Sequence, residues 1–103
     1  MSEYATDIAK YTTNVNQAAV DAIVKYCGIA LRNRDSSLVS GSDPAELKRV
    51  VDGFAFKKLG LAPDVAGEAV KKVAETMKGE RAKSRVTFYY LLAEQTGTLG
   101  KLA

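Results

Sequence analysis

The chain has 103 residues, of which 47% are apolar and 26% charged, and it contains one cysteine and no histidine. This length corresponds to one domain with a single modest core. The absence of histidine excludes Ser-His-Asp and Cys-His nucleophiles, and one cysteine cannot complete a tetrahedral zinc shell. A formal net charge of +3 suits a solvated protein at least as well as a nucleic-acid binder.

The chain shows no signal for a membrane or for secretion. No apolar run approaches the roughly 20 residues that span a bilayer. The first ten residues lack the basic and apolar regions of a secretory signal. The single Cys27 cannot form an intramolecular disulfide, so the cytoplasm is the predicted compartment. The sequence also predicts no membrane contact and no cofactor.

Two helices are predicted in the first third of the chain. The first covers Ser2 to Tyr11, with Ser2 as its N-cap. The second begins after a cap at Asn14 or Asn16, runs to about Arg32, and is either kinked or divided at Gly28. Its apolar stripe consists of Val20, Ile23, Val24, Cys27 and Leu31.

The cysteine on this stripe has two interpretations. A small buried hydrophobe is the simpler one, because Cys27 has helical spacing from the other apolar residues. A reactive thiol would require exposure and a lowered pKa.

A Ser-rich loop is predicted over residues 33–42, with Leu38 and Val39 packed against the core. Ser40 and Ser42 stand beside the start of the next helix, where backbone N–H groups favour anions. The acidic residues that follow occupy the same electrostatic position, so capping is the preferred interpretation over ligand binding. The chain contains no phosphate-binding loop motif.

The third helix has the clearest start in the sequence. Asp43 is its predicted N-cap, Pro44 its first residue, and Glu46 reaches back to the Asp43 N–H in a capping box. The apolar stripe consists of Leu47, Val50, Val51 and Phe54.

The third helix is predicted to end at a glycine. Lys57 and Lys58 fall in its last turn, and Gly60 supplies the left-handed residue beyond it. Leu61 is expected to fold back on Phe56, as in a Schellman motif.

Three segments carry a resemblance to a known family: V-S-G-S-D-P-A-E-L, then F-K-K-L-G-L, and later F-Y-Y-L-L-A. Together they resemble a small bacterial family that is defined as a domain of unknown function. The resemblance covers about residues 35–93. It implies a small cytoplasmic helical protein and brings no activity, substrate or catalytic residue with it.

The fourth helix starts at Pro63 or Asp64 and runs to about Lys78. Its predicted apolar face consists of Ala66, Ala69, Val70, Val73 and Met77.

The last helix is predicted to begin within residues 78–85 and to stop at Gly97. Its middle, Phe88 to Ala93, is apolar on nearly every side, which indicates a central buried helix. A strand is disfavoured there because no second strand is available to pair with it. The fold class is therefore all-α: a compact single domain of four to five short helices around a central apolar C-terminal helix, with residues 97–103 as a loose tail.

The first candidate functional surface is basic. Its residues could bind nucleic-acid phosphates or an acidic protein, or could simply be solvated. They are Lys71, Lys72, Lys78, Arg81, Lys83 and Arg85.

The second candidate is the adjacent pair Tyr89 and Tyr90, which is either core packing or a self-association face. A weaker candidate is Asp35 with Asp43, which could face a hydrated Mg²⁺ across the loop.

These observations favour a non-enzymatic cytosolic module that binds a macromolecule, either another protein or a second copy of itself. The alternative is a nucleic-acid-associated accessory protein that uses Lys71 to Arg85. An enzyme is the third hypothesis and would have to work without imidazole.

Overall fold

The computed structural model describes residues 3–33, 37–40, 43–79 and 83–102, and it has the predicted all-α fold. The α-helices are α1 (Glu3–Ile8), α2 (Gln17–Cys27), α3 (Pro44–Val50), α4 (Pro63–Thr76) and α5 (Arg85–Gln95). A π-helix covers Val51–Lys58, and 3₁₀ turns cover Gly28–Arg32 and Leu99–Lys101. Two short strands, β1 (Leu38–Val39) and β2 (Lys83–Ser84), complete the fold.

Helix α5 is the centre of the molecule, as the sequence predicts. Every residue from Val86 to Ala93 is buried, and Tyr90 is the largest fully buried side chain. Helices α1, α2 and α4 all pack against it. A helix apolar on all sides can bury that surface only by being enclosed by other elements, which is the arrangement found.

Asn16 is the cap of α2, and Gly28 divides the predicted helix. The Asn16 side chain accepts a hydrogen bond from the Ala19 N–H at 3.1 Å. Gly28 has φ of 48°, which ends the α-helix, and the chain continues as a 3₁₀ turn. Helix α1 is shorter than predicted and ends at Ile8, and its proposed cap Ser2 lies outside the described residues.

The predicted third helix changes its winding at Val51. It is α-helical to Val50 and then π-helical, with the Leu59 N–H donating to the Phe54 carbonyl at 3.0 Å. In a π-helix the hydrogen bonds join residues i and i+5, which places those two residues near the same face of the helix. Phe54 and Leu59 are thereby both buried, at 1% and 0% exposure.

The predicted end of the third helix is confirmed in part. Gly60 has φ of 70°, as the predicted left-handed residue requires. Phe56 is 53% exposed whereas Leu61 packs against the core, and the contact predicted between these two side chains stays a prediction. The wider π-helical turn also moves the Leu61 N–H onto the Ala55 carbonyl, at 3.0 Å.

The strand pair was not expected. β1 and β2 are antiparallel, with Leu38 opposite Ser84 and Val39 opposite Lys83. Val39 is 1% exposed, so the prediction that this loop is held to the core is confirmed. Two-residue strands leave no alternating pattern long enough to be recognised in a sequence.

Thr98, Leu99 and Leu102 pack against the domain, whereas the sequence predicted a loose tail. Thr98 and Leu102 are 7% and 9% exposed, and the Lys101 Nζ donates to the Leu59 carbonyl at 2.8 Å. These contacts tie the C-terminal turn to the end of the π-helix.

Candidate functional site

The described members of the predicted basic patch differ in their exposure. Lys71 and Lys72 are exposed on α4, and Lys78 lies past its end, paired with Glu75 (Nζ–Oε1 3.2 Å). Lys83 is only 8% exposed. Arg85 is turned into the protein, and Arg81 lies outside the described residues.

Arg85 holds the start of α5 to α3 and β1. Its Nη2 donates to Glu46 Oε1 at 2.5 Å and to the Leu38 carbonyl at 3.2 Å, while its Nη1 donates to the Tyr89 hydroxyl at 2.9 Å. The Arg85 and Glu46 side chains are 14% and 11% exposed. Burial alone would lower the pKa of Arg85, but the hydroxyl of Tyr89 and the Glu46 carboxylate hold that pKa above its usual value.

Glu46 therefore has a different role from the predicted one. Asp43 is the N-cap of α3, accepting from the Ala45 N–H at 3.0 Å. The capping box is wrong, because Glu46 binds Arg85 and Arg49 instead, and the Asp43 N–H donates to the Ser40 carbonyl. A buried cation competes for this carboxylate more strongly than a solvated N–H does.

The two tyrosines of the predicted self-association face are both core residues. Tyr89 is 7% exposed, and its ring stacks on Phe54 with centroids 4.1 Å apart and 12° between planes. Tyr90 is fully buried, and its hydroxyl accepts from the Asn16 N–H at 2.8 Å. Burial raises the pKa of Tyr89, and the neighbouring Arg85 opposes this rise. Neither side chain offers a surface to a partner.

Cys27 has the properties of a structural thiol. It is half-buried and packs against the core. Burial raises its pKa to about 11, only partly offset by the charge of Arg85. A thiol that stays protonated at neutral pH is a weak nucleophile, which favours the first of the two interpretations given for it.

The serine and aspartate candidates of the loop are only partly described. Ser42 and Asp35 lie outside the described residues, and Asp43 caps α3. Among the residues that the structure describes, no three His, Cys, Asp or Glu side chains come together as metal ligands would.

An apolar groove lies between α4 and the α3–π-helix segment. It has a volume of about 410 Å³ and is open to solvent. Its lining, called the α3–α4 groove below, consists of Pro44, Leu47, Lys48, Val51, Asp52, Pro63, Gly67, Val70 and Lys71.

Gly67 leaves part of this groove open. A Cβ built on Gly67 would meet no atom within 4 Å, so the space above this residue is free. Leu47 and Val51 rise only half-buried from the opposite wall. The groove therefore offers apolar side chains that the fold itself does not cover.

The charged residues of the groove are exposed. Lys48 lies on α3, Lys71 on α4 and Asp52 at the start of the π-helix. Within the described part of the chain, neither lysine has a carboxylate at ion-pairing distance.

Sequence reasoning placed Leu47 and Val51 on a core-facing stripe and did not foresee the groove. The stripe of Leu47, Val50, Val51 and Phe54 has the ordinary spacing of one buried helix face, so the sequence carried no signal for a groove. Which part of the stripe stays uncovered depends on how α4 packs beside it.

None of the helices in the described ranges combines the length and hydropathy needed to cross a bilayer. A comparison with curated proteins finds no match. The model of a protein family of unknown function, DUF2853, matches residues 3–100. The chain therefore belongs to the DUF2853 family.

Proposed function

We propose that the protein is a cytosolic, non-enzymatic helical module that binds a helical segment of a protein partner in the α3–α4 groove. The observation that carries this proposal is the groove itself: an open apolar surface in which the side chains of Leu47 and Val51 are only half-buried. Amphipathic helices bind such grooves through one apolar face. A small-molecule ligand would favour a more enclosed pocket, because most of its surface has to be buried.

The polar groups elsewhere support a binding role over catalysis. The Arg85–Glu46 pair is fully used in holding α3, β1 and α5 together. Cys27 has a raised pKa and lacks an imidazole partner in a chain without histidine.

A nucleic-acid-binding role has less support. Lys83 and Arg85 are buried, and Lys78 is paired with Glu75. Of the five patch residues that the structure describes, this leaves Lys71 and Lys72 as exposed cations without an ion pair among the described residues. Two cations contribute little to a phosphate-binding surface.

Self-association through the tyrosine pair also has less support, because Tyr89 and Tyr90 are buried. A second copy is the alternative occupant of the groove, and the oligomeric mass tests it. Light scattering is expected to give the monomer mass of 11.1 kDa.

The test compares two glycine variants in an affinity capture from host lysate. Gly67→Leu fills the groove, and Gly53→Leu makes the same change at a π-helix glycine that has open space around it and does not line the groove. We expect a set of proteins retained by the wild type and by Gly53→Leu but lost from Gly67→Leu. Equal retention by both variants, with both folded by circular dichroism, would refute binding in the groove. Retention of RNA or DNA alone would favour the nucleic-acid alternative.

A further inference from the structure

We infer that the partner helix is acidic: it presents an apolar stripe flanked by glutamate or aspartate side chains. This inference rests on the proposed function and adds the chemical class of the partner. It follows from the charges at the edges of the α3–α4 groove.

The groove has a lysine on each wall. Lys48 stands on α3 and Lys71 on α4, both exposed and both among the lining residues. A helix lying between two walls places the residues on either side of its apolar stripe against those walls. Acidic residues at both flanks would therefore meet a lysine on each side.

These two lysines are available for such contacts. The structure places no carboxylate within 4.0 Å of either ammonium among the residues it describes, whereas Arg49 and Lys78 already pair with Glu46 and Glu75. Asp52 is the one acidic lining residue, so the lining carries two positive charges and one negative charge. A basic helix would find one favourable contact and two repulsive ones.

The length of the groove fits about two helical turns. Its α3 and π-helix wall runs from Pro44 to Asp52, and its α4 wall from Pro63 to Lys71. At about 1.5 Å per residue each wall is on the order of 12 Å long. A partner helix can place two or three apolar side chains along this distance, at spacings of three and four residues.

Charge at the edge of an apolar groove acts mainly on selectivity. Apolar burial would provide most of the affinity, and exposed ion pairs each change it only a few-fold. Reversing both lysines converts two attractions into two repulsions, so the affinity for an acidic helix is expected to fall on the order of tenfold.

The experiment uses two synthetic peptides of about 18 residues, a length at which Ala-rich sequences form helix in water. Both carry the same apolar stripe and the same dye. One has glutamate at every flanking position, and its twin has lysine there. Fluorescence anisotropy measures their binding to the 103-residue chain at low and at physiological salt.

We expect the acidic peptide to bind about tenfold more tightly than its twin, with the difference shrinking as salt rises. Lys48→Glu with Lys71→Glu should reverse the preference. The control is Lys25→Glu with Lys72→Glu, which changes the net charge equally at exposed positions outside the groove and should preserve it.

The outcomes separate this inference from the proposed function. Equal binding of both peptides, or tighter binding of the basic one, would overturn the acidic partner, and loss of that binding in Gly67→Leu would still support the groove. Binding of neither peptide would also overturn this inference, and the glycine comparison in lysate would then decide the proposed function alone. If the Lys25→Glu, Lys72→Glu control also loses the preference for the acidic peptide, only the net charge of the chain matters. That result would again contradict the inference.

Discussion

Removing the Glu46 carboxylate should destabilise the fold strongly, because it leaves a largely buried guanidinium without its carboxylate. In Glu46→Ala the Arg85 guanidinium, 14% exposed, loses its carboxylate at 2.5 Å and keeps its hydrogen bonds to the Tyr89 hydroxyl and the Leu38 carbonyl. Breaking a buried ion pair from one side costs about 3–5 kcal/mol. Because both side chains retain slight exposure, we expect the lower end, about 3 kcal/mol. Domains of this size have total stabilities of about 5–15 kcal/mol, so this is a large fraction.

Urea unfolding followed by circular dichroism measures this loss. The matched control is Arg49→Ala, which removes the other cation on the same carboxylate (Nη1–Oε2 2.7 Å) but from a side chain that is 71% exposed. Such an exposed pair contributes about 0.2–1 kcal/mol. The double variant Glu46→Leu with Arg85→Met removes both charges and should recover most of the stability.

The refuting result is a cost for Glu46→Ala no larger than that for Arg49→Ala. It would mean that Arg85 does not depend on Glu46 and can turn to solvent. The basic patch predicted from the sequence would then regain one of its members.

Three further outcomes test other parts of the account. Gly67→Ala should raise the free energy of unfolding by about 1 kcal/mol, since the new methyl meets open space in a helix; no gain in urea unfolding would contradict this. Tyr90→Phe should cost about 1 kcal/mol in the same assay by leaving the half-buried Asn16 N–H without its acceptor, and an unchanged midpoint would show that water replaces the hydroxyl. Folding raises the pKa of Cys27 from 9.0 to about 11, so the folded state binds this proton more tightly; stability should be full below pH 9 and fall as pH rises toward 11. The fall should be smaller in Cys27→Ser, and an identical fall would assign it to Tyr89 and other groups.

The sequence predicted the helical elements because their signals are local. Asp43 followed by Pro44, Gly60 beyond the third helix, and Gly97 beyond the last all define a boundary within a few residues, and the structure confirms each. The apolar stripe of α4 was likewise confirmed, because helical spacing alone determines which residues face the core.

The parts that failed depend on contacts distant in sequence. Glu46 and Arg85 are 39 positions apart. No local pattern predicts that one cation of a lysine- and arginine-rich stretch is buried. The π-helical winding from Val51 likewise depends on burying Phe54 and Leu59 together against the rest of the core. A prediction that assumes 3.6 residues per turn throughout does not allow for a π-helical segment.

The candidate site was the least predictable part. Its walls come from two helices, and the open space on the α4 wall depends on Gly67. From the sequence alone, Gly67 is only a residue of low helix propensity. Grooves arise where two apolar stripes fail to cover each other completely, and that depends on how the helices cross.

Chemical-shift mapping of the ¹⁵N-labelled chain with the acidic peptide tests the central claim most directly. The account predicts that the largest amide shifts fall on Leu47, Val51, Gly67 and Val70 and that they disappear in Gly67→Leu. Shifts concentrated instead around the exposed Tyr26 or Phe56, with the groove residues unchanged, would contradict it.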